Sequence, residues 1–263
     1  MSEVQGRPPS TMSMERRFGI AISVALILGG GWWALTDLTE NSHTSNEQFP
    51  VHGTSLVIDS GSTDVEIHSG DVSQITVTRR IKRNIFGSEP KDKYQDGTLE
   101  LGDAGCGFLS FNCRTDYVVV VPKALKVTAE SRSGDLQVSD LPGGAELKSS
   151  SGDIEVHQIG GELRLESSSG DLAGHDLTAG TVTTRSSSGD IELDFGSAPS
   201  AVQLKSSSGD VTIQLPSSDA AYKVETHTSS GHHSTMVKTD PASDRSIKAD
   251  TSSGDITVEY RDN

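Results

Sequence analysis

Six aspartates follow a glycine at the end of a Ser- or Thr-rich run: Asp135, Asp153, Asp171, Asp190, Asp210 and Asp255. Repeated carboxylates of this kind could bind calcium. Stacked about 4.8 Å apart, two of them would repel by about 0.9 kcal/mol even at the dielectric of water. Backbone amides at a turn, or a cation, must offset that cost. The calcium-binding pattern GGxGxD is absent, so amides are the expected partners. His157, His175 and Asp194 also recur at one offset from successive glycines, and two His with a carboxylate can hold zinc or iron. His227, His232 and His233 form a second group of the same kind. For both groups the expected state is solvated side chains on a strand ladder. Serine, histidine and aspartate are plentiful, yet no G-x-S-x-G elbow for a nucleophile occurs. The acidic residues are spread along the chain, whereas glycoside cleavage needs a local pair. No catalytic, cofactor or metal residue is therefore assigned.

These residues must be positioned by a repeat. The glycines of the motif, Gly134, Gly152, Gly170, Gly189, Gly209, Gly231 and Gly254, are spaced by 18, 18, 19, 20, 22 and 23 residues. A period in this range marks a solenoid, in which each unit buries its apolar face only against its neighbours. Seven residues before each glycine stand Val127, Ala145, Leu163, Val182, Val202, Val224 and Ile247. Apolar residues or threonine stand five before it, and Ser or Thr three before it. Side chains alternate along a strand, so these odd offsets share an inward face, and the serine just before the glycine is expected to join them. Serine hydroxyls bonded to one another up the stack would line the interior. The offset four before is charged or His throughout: Glu130, Lys148, Glu166, Arg185, Lys205, His227 and Asp250. That is the outward face, where most sequence neighbours have opposite sign and favour pairing. After the glycine the apolar positions move to even offsets, as in Ile154/Val156 and Val211/Ile213. A corner between two strands gives that change of phase, with glycine taking a positive φ and Asp capping nearby amides.

Phe18–Leu35 carries no charge and ends in Trp32 and Trp33, with Arg16 and Arg17 before it. That length suffices for a helix to cross a bilayer, and the basic side stays in the cytoplasm. The pattern predicts a cytoplasmic tail over 1–17, a transmembrane helix over 18–36, a linker over 37–54 and an extracellular domain over 55–263. A cleaved signal peptide is the rival reading. An insertion at 79–116 interrupts the period and holds the chain's two cysteines, Cys106 and Cys113. Outside the cytoplasm a disulfide closing this loop is expected. The fold class expected is an all-β, single-domain parallel β-solenoid of about seven regular coils with degenerate N-terminal coils, preceded by that one helix.

The chain has 22 Lys and Arg against 37 Asp and Glu, a net charge of −15, which excludes nucleic acid as an expected partner. Hydrophobic residues make up 33%, too few for a conventional core of this length but consistent with a serine-lined solenoid.

The run of S-S-S-G-D-[IVL]-x-[VL] units, preceded by Tyr117–Pro122 (YVVVVP) and the apolar segment, resembles the bacterial putative-adhesin family of β-strand-repeat surface proteins, a domain of unknown function. The resemblance covers roughly residues 55–260. It implies an envelope location, a β-solenoid and a role without catalysis. His232 and His233 depart from it by replacing the Asp and the first apolar residue. The expected function is a membrane-anchored scaffold or adhesin-like module. Its partners would be the bilayer, through 18–36, and a cell-envelope protein or polysaccharide. An envelope-stress sensor acting through a membrane partner and a polysaccharide-active enzyme are the alternatives.

Overall fold

The computed structural model describes residues 41–83, 90–102 and 114–261. In chain order its strands are β1 (Asn41–Pro50), β2 (Ser55–Gly61), β3 (Asp64–Gly70), β4 (Gln74–Arg83), β5 (Lys93–Gln95), β6 (Thr98–Glu100), β7 (Arg114–Pro122), β8 (Lys126–Ser131), β9 (Leu136–Ser139), β10 (Ala145–Ser149) and β11 (Ile154–His157). They continue with β12 (Glu162–Ser167), β13 (Leu172–Leu177), β14 (Thr181–Ser186), β15 (Ile191–Phe195), β16 (Ala201–Ser206), β17 (Val211–Leu215), β18 (Lys223–Ser230), β19 (His233–Thr235), β20 (Ser246–Ser253) and β21 (Ile256–Tyr260).

The strands form two sheets facing one another across the core. One has the order β1-β4-β7-β3-β9-β11-β13-β15-β17-β21-β19, the other β18-β20-β16-β14-β12-β10-β8-β2-β6-β5. Each regular rung from β8 to β17, and that of β20 and β21, contributes one strand to each sheet and turns between them at its Ser-Gly-Asp corner. The columns before and after the corner both point inward: Leu147, Leu165, Leu204, Ile154, Ile191 and Ile213 are all at most 1% exposed. Parallel pairing keeps them level, with Leu147 opposite Leu165 and Ile154 opposite Leu172.

The expected wholly parallel solenoid behind a transmembrane helix needs correction. The sheets are mixed: β4 runs antiparallel to β7, and β5 antiparallel to β6. These pairs fold back over the N-terminal end, where a rung would otherwise leave an open edge. Among the described residues no helix is long and apolar enough to cross a membrane. The single-pass anchor, and the localisation drawn from it with a cytoplasmic N-terminus and an extracellular C-terminal domain, are therefore not supported. The segment 18–36 itself lies outside the described residues, as do Cys106 and Cys113 with their expected disulfide. Asn41–Pro50, read from sequence as linker, is the edge strand β1.

Rung order also departs from chain order, at both ends. β6 and β7 lie outside β2 and β3, although they come later in the chain. At the other end β20 and β21 are inserted between β16/β17 and β18/β19, so the last rung in sequence is the penultimate one in space. The interrupting segment 79–116 thus contributes β6 and the start of β7 to the outer N-terminal rung.

That rung holds a buried polar network with no counterpart in the repeat. Asp92, only 2% exposed at its side chain, accepts from Arg79 at 2.7 Å, from the Tyr117 hydroxyl at 2.5 Å and from the Gly102 amide at 3.0 Å. Burial pushes the Tyr117 phenol well above its ordinary value, and the Asp92 carboxylate adds to the shift. The folded state therefore holds a proton that the unfolded chain releases near pH 10. Stability from this group is complete below that pH and falls as pH rises above it. Burial also raises Tyr222. Melting temperature should drop steeply between about pH 10 and 11, and Tyr117→Phe with Tyr222→Phe should flatten that drop. A drop equally steep in the double variant would show that other groups cause it.

Candidate functional site

The corner is built by close approach. A Cβ placed on Gly170 would sit 2.1 Å from the Gly152 carbonyl oxygen, and one on Gly152 would sit 2.2 Å from that of Gly134. The same contact recurs up the stack to Gly231, which lies over Gly254 at 2.2 Å. Within the column from Gly134 to Gly254 positive φ is confined to Gly189, Gly209, Gly231 and Gly254, so packing of backbone on backbone is what the column shares.

The aspartates form a hydrogen-bonded ladder. Each Asp amide donates to the carboxylate one rung below: Asp135 to Asp64 and Asp153 to Asp135 at 3.0 Å, Asp171 to Asp153 at 2.9 Å, and Asp190 to Asp171 at 2.8 Å. Asp210 then donates to Asp190 and Asp255 to Asp210, both at 2.8 Å. The His232 amide closes the series on Asp255 at 2.7 Å. Charge-assisted amide donors thus offset the repulsion along the column. His232 stands where Asp would be, in the rung that is last in space among the described residues and has no amide above it to satisfy.

Most hydroxyls three before each glycine bond within their own turn and not to one another; among the described residues Ser149 has no partner, and Thr228 donates to the Gly254 carbonyl of the neighbouring rung at 3.0 Å. Ser131 donates to the Gly134 carbonyl at 2.7 Å, and Ser186 and Ser206 donate to the carbonyls of Ser188 and Ser208 at 3.0 Å. The serine just before the glycine points out, contrary to the expected alternation, because the strand ends two residues earlier. Exposed pairs such as Ser150-Ser151 and Ser187-Ser188 therefore run up the corner.

Beside those pairs lies an open groove of about 840 Å³. Its floor is the Ser131, Ser149, Ser167, Ser186 and Ser206 column. One wall is Arg132, Ser150, Ser168, Ser187 and Ser207; the other is Asp59, Glu130, Lys148, Glu166, Arg185 and Lys205. It crosses six rungs, a run of about 24 Å at the spacing of strands. Sequence reasoning placed the charged wall on the outer face and the serine column three before each glycine inside, but not the open channel that this column floors.

Charges in the lower part are mutually paired. Lys148 lies 3.6 Å from Glu130 and 3.3 Å from Glu146, and Arg164 bonds Glu166 and reaches Glu146 at 3.8 Å. The hydrogen bond to Glu166 raises Arg164 above its ordinary value, and that to Glu146 does the same for Lys148. Pairing thus runs within a strand, between residues two apart, as much as between register partners. Higher up, Arg185 and Lys205 face each other in register.

The candidate metal group is not assembled. His157 and His175 are register partners, but a bulge between Gly174 and Leu177 carries Asp194 out of line. Asp176 takes a φ of 50° at the bulge, and Arg261 bridges it to Asp194 at 3.3 and 3.4 Å. The Gln158 hydrogen bond, then Arg261, hold the Asp176 carboxyl below its usual value. Among the described residues no three His, Cys, Asp or Glu side chains come together to hold a metal ion. The groove carboxylates are engaged as turn and ion-pair acceptors: Asp59 takes the Gly61 amide, and Glu130 faces Lys148.

Two-strand rungs closed by a Gly-Asp corner, with an open groove beside it, define an all-β, solenoid-like repeat domain. The chain belongs to the Toastrack DUF4097 family, whose model matches residues 54–161 and 120–259. The family resemblance read from the repeat is thereby established. A solved putative adhesin from Bacteroides fragilis NCTC 9343 shares the fold at a TM-score of 0.51, with 14% identity over 84% of this chain and 97% of that one. A putative adhesin from Parabacteroides distasonis ATCC 8503 matches with a TM-score of 0.45, 14% identity, and 84% and 97% coverage. A putative lipid binding protein from the same organism gives a TM-score of 0.46, 13% identity, and 83% and 96% coverage. No curated protein matches the chain.

Proposed function

We propose that the chain is a non-enzymatic, adhesin-like binding module whose corner groove holds an extended polysaccharide. The groove carries this reading: a continuous channel over six rungs, lined by hydroxyls and charges at regular intervals. Its repeat favours a sugar polymer over a peptide. An extended polypeptide advances about 3.3 Å per residue and falls out of step with rungs about 4.8 Å apart. A sugar in an extended β-linked chain advances by about one rung, so successive rings would meet equivalent hydroxyls. Aromatic residues are 5% of the chain and none lines the groove, so hydrogen bonding would replace stacking.

The test is retention of the full chain on immobilised polysaccharides, neutral and acidic, against a variant carrying Ser150→Leu and Ser168→Leu. Both serines are exposed, so folding should be kept while the middle of the groove is blocked. Retention of the wild type and its loss in the variant, at an unchanged melting temperature, is expected. Absence of retention on every polymer, or equal retention by the variant, would remove the groove as the binding site.

A further inference from the structure

We infer that the upper groove is an anion subsite, and that the polymer it accepts carries carboxylate or phosphate groups. This rests on the reading of the groove as a polysaccharide channel and specifies its ligand. The subsite is Arg185 and Lys205, with the exposed Ser187 and Ser207 across the channel.

Four cations line the groove, Arg132, Lys148, Arg185 and Lys205, against three carboxylates, Asp59, Glu130 and Glu166. The whole chain has a net charge of −15, so this strip runs against the character of the molecule. Within it Arg185 and Lys205 stand directly opposite on β14 and β16. Like charges in that position destabilise a sheet unless something lies between them. The carboxylate one rung below Arg185 is Glu166, which is held by Arg164. Asp250 stands in register above Lys205, yet no ion pair within 4.0 Å joins them. Among the described residues neither Arg185 nor Lys205 has a carboxylate within 4.0 Å, whereas Lys148 and Arg164 each have two.

The local chemistry suits an oxyanion. Arg185 presents a planar fork of donors and Lys205 a point charge. The hydroxyls of Ser186 and Ser206 are committed to the turn carbonyls of Ser188 and Ser208, which leaves Ser187 and Ser207 to donate outward. Nucleic acid, with a charge on every unit, would meet the acidic remainder of the surface. A polysaccharide with an anion on some of its units places charge where the cations stand and neutral hydroxyls elsewhere.

The experiment measures affinity of the full chain for polygalacturonate and for phosphomannan, beside neutral mannan and hydroxyethylcellulose. Acidic polymers should bind at least ten-fold more tightly than neutral ones, and Arg185→Gln with Lys205→Gln should remove that advantage. Neutral binding should change less than two-fold. Lys123→Gln with Lys223→Gln removes the same formal charge from ion-paired positions outside the groove and should leave the preference intact. Binding of polygalacturonate alone assigns carboxylate, and of phosphomannan alone phosphate. Equal affinity for acidic and neutral polymers, or an equal loss in both double variants, would overturn the subsite while leaving the channel in place. Binding to none of the four would overturn both.

Discussion

Gly170→Ala should cost about 4 kcal/mol or more and unfold much of the domain. The added methyl would lie 2.1 Å from the Gly152 carbonyl oxygen and 2.6 Å from its carbon. Both obstacles are backbone, and the Gly152 carbonyl belongs to a rung that itself packs on Gly134. Relief would require parting the stack at a corner where the Asp171 amide bonds Asp153 at 2.9 Å. Gly170 does not have a positive φ, so the penalty is steric and not a matter of backbone preference. Gly180 is the control, with nothing within 4 Å of an added Cβ. Gly180→Ala should be within about 0.5 kcal/mol of wild type. Urea denaturation of both variants decides it: similar midpoints for the two would mean that the corners are not in contact.

Truncation after Arg245 should be as damaging, although it removes only the end of the chain. In a stack following chain order it would trim an outer rung and leave the rest intact. In the observed order it removes a rung buried on both sides. Ile247, Ile256 and Val258 are at most 1% exposed, and losing them forfeits on the order of 6 kcal/mol at about 2 kcal/mol each. That is comparable to the whole stability of a typical domain. β18 pairs with β20 and β19 with β21, so the rung beyond loses its support as well. The truncated chain should show early urea unfolding and rapid proteolysis of residues 216–245. A midpoint shift as small as that of a frayed terminus would contradict the inserted order.

The columns were legible in the sequence because period two and period about 20 act together. An apolar residue at a fixed offset from Gly must face the same way in every rung, as Leu147, Leu165 and Leu204 do. The order of rungs was not legible. Val224 and Ile247 occupy equivalent positions, and either could follow Val202 by pattern alone. The one available signal was His232, since an Asp is dispensable only where nothing stacks above. The Arg79–Asp92–Tyr117 network was also invisible, because its members lie outside the repeat and meet only when the excursion folds back. The groove was half legible: both walls stand at even offsets and follow from the alternation, but that they flank an open channel depends on the serine column between them lying at its floor.

The corner ladder has a direction, and that direction bears on self-assembly. Every carboxylate from Asp64 to Asp255 receives an amide from the rung above it, and His232 at the top offers no such oxygen. A second copy arriving there would find β18 and β19 as a template for pairing but no anion to seat its first corner amide. The ladder thus ends at the outermost C-terminal rung through a single difference, histidine where the other corners carry aspartate.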